Sequence, residues 1–213
     1  MNQVLVYGDS LSWGIVPGTR HRLPFHQRWP GVLERGLLQA GSSVRIIEDC
    51  LNGRRTVWED PYKPGRNGLE GLAARLECHA PLALVILMLG TNAFQSMHPH
   101  TAWHSAQGIA ALVHAVRAAP VEPGMPVPPV LIVVPPPIVE PKGPLAPMFH
   151  GAAEKFEGLA DEYAVVAREL ACSVFDAGAV TPASVVDGIH LDADQHELLG
   201  RALVQVVQDI VGT

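Results

Sequence analysis

Eight consecutive apolar residues, Leu82 to Leu89, sit near the middle of the chain, and from Leu84 onward they are apolar at every position rather than at every second one. A strand with one wet face alternates, so an unbroken run reads as a strand covered on both sides, the pattern of a central strand in a parallel sheet. The run is far short of the ~20 residues that cross a bilayer. Four other short runs fit the same sheet: Val4 to Tyr7, Val44 to Ile47, Val130 to Val134 and Ser173 to Phe175. Each is followed by a loop and a segment of helical period, and the helical candidates are Trp29 to Ala40, Gly68 to His79, Thr101 to Ala118, Ala152 to Leu170 and Asp192 to Val211. In the last, Leu199, Ala202, Leu203, Val206, Val207 and Ile210 form one apolar stripe, and Asp192 with Gln195 forms a capping pair. Five strands alternating with five helices imply an α/β chain, a three-layer α/β/α sandwich around a central five-stranded parallel sheet.

Eleven of the 19 prolines lie between Pro120 and Pro147. They flank the strand run Val130 to Val134, so the stretch reads as stiffened loops, one of them a candidate pocket wall, and not as a linker. One domain over residues 1–213 is expected. The formal net charge is -6, with 15 Lys+Arg and no basic run, which argues against nucleic acid or an anionic membrane as partner. The amino terminus shows no signal-type apolar region, so a soluble cytoplasmic protein is expected. Cys50, Cys78 and Cys172 are few and widely spaced, and read as free thiols. His98, His100 and His104 raise metal ligation, but Pro99 interrupts them and no carboxylate completes the set; no metal and no cofactor is expected.

Strand ends carry the chemistry in open α/β sheets. Gly8-Asp9-Ser10-Leu11 puts a serine at the end of the first strand, and Gly90-Thr91-Asn92 puts an amide side chain at the end of the central one. Asn52-Gly53 follows the second strand, and Asp187-Gly188-Ile189-His190 precedes the last helix. A serine hydroxyl needs a neutral imidazole to take its proton and a carboxylate to orient that imidazole, roles His190 and Asp187 fit. Asn92 Nδ2 and the Gly53 amide are candidate donors to an oxyanion. Each element alone also has a structural reading: Ser10 as an N-cap or part of a phosphate cradle, Asn92 and Asn52-Gly53 as turns, Asp187 and His190 as surface residues.

Together, in this order, the four blocks resemble the SGNH, or GDSL-type, hydrolase family, whose blocks centre on Ser, Gly, Asn and His. The resemblance runs from Gly8 to His190. It implies a flavodoxin-like hydrolase fold and a serine esterase, with Ser10, Asp187 and His190 as catalytic triad. It also implies an oxyanion hole formed by the Ser10 amide, the Gly53 amide and the Asn92 side chain. Gly8 to Gly14, Arg28-Trp29, Met88 to Asn92 and Asp187 to His190 look more closely like the bacterial arylesterase/acyltransferase (perhydrolase) branch. Two positions depart: the family often has Asp where this chain has Ala93, and close relatives tend to have Ser-Ala at Asn52-Gly53. The first bears on the loop presenting Asn92, the second on the pocket around Gly53.

The resemblance implies short acyl or aryl esters as small-molecule substrates, transfer of the acyl group to water, alcohol or peroxide, and a homo-oligomer, since relatives of the branch often form octamers. Leu11, Trp13, Ala93, Phe94, Phe149 and Ile189 resemble its substrate-binding positions. A carbohydrate O-acetyl esterase is the other enzymatic reading, and a flavodoxin-like phosphate- or flavin-binding module the non-enzymatic one.

Overall fold

The computed structural model describes residues 2–212; residues 1 and 213 of the expected unit lie outside them. Five strands, β1 (Asn2–Gly8), β2 (Val44–Cys50), β3 (Leu84–Met88), β4 (Val130–Val134) and β5 (Ser173–Asp176), form one sheet. Every pairing is parallel and the order is β2-β1-β3-β4-β5. Seven helices accompany them: α1 (Ser10–Trp13), α2 (Trp29–Gln39), α3 (Leu72–His79), α4 (Ala102–Arg117), α5 (Ala152–Phe156), α6 (Leu159–Glu169) and α7 (Ala193–Val211). The expected three-layer architecture is what the chain adopts.

Strand side chains alternate between two cores. Val4, Val6, Leu84 and Ile86 pack with Trp29, Leu33 and Leu37 of α2 and Leu199, Leu203 and Val207 of α7. Leu5, Tyr7, Val85 and Leu87 pack on the other face with Leu76 of α3, Ile109 and Leu112 of α4 and Val166 of α6. Every side chain of β3 is buried, as its unbroken apolar run requires, and each contributes about 1.5–3 kcal/mol by leaving water. Because the chain goes from β1 to an edge strand on one side and then returns to β3 on the other, the strand order reverses between β1 and β3. The crevice at such a reversal is where ligands bind in sheets of this kind. Ser10 follows β1 and Asn92 follows β3, so the two flank that crevice.

Two helix expectations needed correction. The segment expected as one helix from Ala152 to Leu170 is two, α5 and α6, broken at Glu157 and Gly158, where Gly158 takes φ 81°. The break lets α5 pack against the turn Thr91–Phe94 while α6 lies along α4 and β5. The helix expected from Gly68 starts at Leu72, because the Gly68 amide donates to the Arg55 carbonyl (3.1 Å) and is held in a turn. The Asp192/Gln195 capping pair forms as read. Among the described residues no helix is long and apolar enough to cross a membrane.

Helices α2 and α7 meet at Gly200, where an added Cβ would lie 2.6 Å from Val32 Cβ and 2.7 Å from the Trp29 carbonyl oxygen. Gly200→Val is therefore expected to cost about 2–3 kcal/mol by overpacking, lowering Tm by roughly 5–10 °C. A thermal melt within about 2 °C of the parent would show that this interface yields instead.

Candidate active site

Ser10 opens α1, a helix of only four residues that begins where β1 ends. Its Oγ lies 3.1 Å from His190 Nε2, and His190 Nδ1 lies 2.7 Å from Asp187 Oδ2. An ionised carboxylate only accepts, so Nδ1 carries the ring proton and Nε2 presents its lone pair to the serine hydroxyl. Asp187 is buried and every remaining lone pair is used: Oδ1 accepts from the amides of Ile189 (3.0 Å) and His190 (2.9 Å), and Oδ2 also accepts from the Gly18 amide (3.1 Å). Burial alone would raise this carboxyl, but the hydrogen bond from His190, its charge and the two amides outweigh burial and hold it below the usual carboxylate range.

The Asp187–His190 loop is strapped in place by the proline-rich segment. The Val139 amide donates to the Gly188 carbonyl (3.1 Å) and the Lys142 amide to the Asp187 carbonyl (3.0 Å). The expectation that a stiff proline loop walls the pocket is met farther along that segment, by Leu145, Met148 and Phe149. Pro135-Pro136-Pro137 does not reach the cleft lining.

The block after β2 is held by Arg54, a residue the sequence reading passed over. Its Nη1 donates to the carbonyls of Gly8 (3.1 Å) and Asp49 (2.5 Å), its Nη2 to Asp49 Oδ1 (2.8 Å), and its guanidinium lies over the Tyr7 ring. Gly53, immediately before it, takes φ 83°, a backbone conformation that a side chain disfavours. Space is not the reason for glycine there, since an added Cβ would find nothing closer than 3.8 Å. Among the described residues the Ser10 and Gly53 amides have no acceptor, so both are available to an anion in the cleft.

Asn92 is in a different position. Its Nδ2 already donates to Asp9 Oδ2 (2.9 Å) and to the Arg54 carbonyl (3.2 Å), and its Oδ1 accepts from Gln95 Nε2 (2.9 Å). Both amide hydrogens are committed, and an oxyanion must share or displace the longer bond, the one to Arg54. The same contacts keep Asn92 in place although Ala93 follows it. Asp9 fixes the other end: Oδ1 accepts from the Leu11 amide (3.0 Å), and burial pushes its carboxyl up to about 6 against the pull of Leu11, His190, Asn92 and Arg54. Behind Gln95, its Oε1 accepts from Arg55 Nη2 (2.6 Å), and Arg55 Nη1 lies 3.0 Å from Asp60 Oδ2. A polar line thus runs from Asp9 to Asp60, its side chains largely buried.

These groups floor a cleft of about 230 Å³. Ser10, Gly53, Asn92 and His190 line it, as do Phe149 and Ile189 among the six expected substrate-binding residues. The other four do not. Leu11 lies in the core under α2 and α7, while Phe94, also in the core, packs on Phe156 at 5.3 Å between ring centres. Ala93 is fully buried, and Trp13 lies under the Arg22 guanidinium. In their place the lining includes Ile15, Arg20, Asp60, Tyr62, Lys63 and Met97, from loops without any periodic signal.

His98 and His100 stack with Trp58, and His104 lies tilted against His100, so the three form no cage. His100 lies 3.8 Å from Trp58 and 4.8 Å from His98 between ring centres, and His104 Nδ1 accepts from the Thr101 amide that it caps. Burial, then His98 and His104, pull the His100 imidazole down to about 4. Among the described residues no three His, Cys, Asp or Glu side chains are grouped to hold a metal ion. The phosphate-cradle alternative for the Gly8–Gly14 loop fares no better, because α1 ends after a single turn.

Comparison with known proteins gives the family. A family model described as GDSL-like Lipase/Acylhydrolase family matches residues 6–198. A carbohydrate acetylesterase family member from Sinorhizobium meliloti superposes with TM-score 0.94 at 38% identity, covering 100% of both chains. The M. smegmatis aryl esterase superposes with TM-score 0.93 at 36% identity, over 99% of this chain and 100% of that one. Est24, another carbohydrate acetylesterase from Sinorhizobium meliloti, gives 0.93 at 35% identity with the same coverage. Comparison with curated protein sequences gave no match.

Proposed function

Because the chain belongs to the GDSL-like lipase/acylhydrolase family and is a carboxylic ester hydrolase, we propose that it cleaves short-chain acyl esters through an acyl group carried on Ser10. The observation that carries this reading is the unbroken line Ser10 Oγ, His190 Nε2, His190 Nδ1, Asp187 Oδ2, at 3.1 and 2.7 Å. His190 takes the hydroxyl proton as Ser10 attacks the carbonyl carbon, and Asp187 stabilises the imidazolium that forms. The free amides of Ser10 and Gly53 receive the oxyanion, joined by Asn92 as its contact with Arg54 is exchanged. Collapse expels the alcohol, which takes its proton from His190, and leaves Ser10 acylated. Water, activated by the same imidazole, then releases the acid; an alcohol or peroxide in its place gives a new ester or a peracid.

The size of the cleft and its apolar residues Ile15, Leu145, Phe149 and Ile189 support acetyl and similarly short acyl groups. The carbohydrate acetylesterase neighbour supports an acetyl group, and Tyr62, 82% exposed among the lining residues, suits a ring on the leaving side, as the aryl esterase neighbour supports. Three free cysteines fit a reducing, cytoplasmic setting. A fluorophosphonate should add once to the protein, and peptide mapping should find it on Ser10. An adduct on any other residue rejects the mechanism.

A further inference from the structure

The chain carries a net charge of -6, and its arginines are mostly matched with acids. Among the described residues, seven lie within 4 Å of a carboxylate oxygen. The cleft breaks this habit. Arg20 and Lys63 both line it, both are exposed, and neither head group has a hydrogen-bond or ion-pair partner among the described residues. Arg66, close by in the same loop as Lys63, spends its guanidinium on the carbonyls of Asn52 (3.0 Å) and Pro64 (2.9 Å) and not on an acid.

The carboxylates that could neutralise these cations are already taken. Asp60 Oδ1 accepts from the amides of Tyr62 (2.9 Å) and Lys63 (3.1 Å), and its Oδ2 pairs with the fully buried Arg55 (3.0 Å). Glu59 accepts from the backbone amides of Asp60, Gly65 and Arg66. The Lys63 ammonium is pushed below its ordinary value by partial burial and then by the neighbouring charges of Arg66 and Arg20. Like charges that share one cleft repel, and an anion bound among them offsets that cost.

Burial sorts the lining in depth. Phe149 and Ile189 are buried, whereas Arg20, Tyr62 and Lys63 are exposed. A short acyl group fits the enclosed apolar part, which leaves the alcohol portion of the ester to extend toward the exposed, cationic part. We propose that the preferred substrates of this enzyme are esters whose leaving alcohol or phenol carries a carboxylate, received by Arg20 and Lys63. This rests on the esterase reading above and names the substrate class of that same site.

The test compares 4-acetoxybenzoate with its uncharged analogue 4-acetoxybenzamide, each rate divided by that ester's hydroxide-catalysed rate, with 4-nitrophenyl acetate run alongside. With Asp60 matched by Arg55, Arg20 and Lys63 leave the cleft with unmatched positive charge, and such a field raises capture of the opposite charge by roughly 10-fold or more, so the anion should exceed the amide in kcat/KM by about tenfold at low salt. The ratio should fall toward one in 0.5 M NaCl, by screening of roughly 0.5 M ionic strength. It should fall in the same way in the double variant Arg20→Gln/Lys63→Gln, with circular dichroism confirming the fold. A ratio at or below one in the parent enzyme, or one unmoved by the double substitution, overturns the proposal while the esterase reading stands. Failure to hydrolyse 4-nitrophenyl acetate at all overturns both.

Discussion

Ser10→Ala will lower kcat/KM for 4-nitrophenyl acetate by about 10⁴-fold or more, and the melting temperature will stay close to that of the parent. The first half follows from the position of the hydroxyl, whose hydrogen-bond partner among the described residues is His190 Nε2 at 3.1 Å. No neighbour can replace it: Ser12, two residues on, is fully buried and donates to Met88 Sδ at 3.7 Å. The second half follows because the change removes a single oxygen and the one hydrogen bond it makes to His190, at a residue that lines the cleft. The backbone amide of residue 10 survives, so oxyanion stabilisation and binding leave a residual rate. Hydrolysis within tenfold of the parent would exclude Ser10 as nucleophile.

Asp187→Asn should cost about 10⁴-fold in kcat, a loss out of proportion to the replacement of one oxygen by nitrogen. The amide can enter this site in two orientations. With its oxygen toward the amides of Ile189 and His190 it keeps two hydrogen bonds, and its NH₂ then faces His190 Nδ1 and the Gly18 amide. The reverse sets the NH₂ against two backbone donors, so the first is favoured. In it the side chain donates to Nδ1, the ring proton moves to Nε2, and the imidazole meets Ser10 as a donor when it is needed as an acceptor. The carboxyl of Asp187 is held below the usual range, so the parent keeps its charge throughout the working pH range of an esterase. A loss under tenfold would mean that Asp187 does not set the tautomer.

The sheet was legible from the sequence because burial leaves its trace in the apolar pattern, unbroken in a central strand and periodic in a helix. Leu84 to Leu89 announced the central strand, and the stripe on α7 announced the side of that helix that meets the core. The triad was legible for a different reason: its residue types are rare in combination and fall at strand ends. The pocket was half-legible. Leu11 is one residue from Ser10 and Phe94 two from Asn92, but each step along a helical turn rotates a side chain by about 100–120°, and both point into the core. The residues that do line the cleft with charge, Arg20, Asp60 and Lys63, come from aperiodic loops whose proximity only the folded backbone creates. Arg54 carried no signal beyond following Gly53, yet it ties that glycine to the end of β1.

Ser10 and His190 stand 180 residues apart, the first just after the opening strand and the second just before the closing helix. That helix is locked to the front of the chain a second time, where the Trp29 amide donates to Nδ1 of the buried His196 at 3.2 Å. Every chain emerging from the ribosome therefore carries its nucleophile long before it owns a base, and remains inert until the segment carrying His190 has docked. For refolding studies this makes ester turnover a count of finished molecules: compact intermediates that lack the last docking step contribute secondary structure to a spectrum, but nothing to the assay.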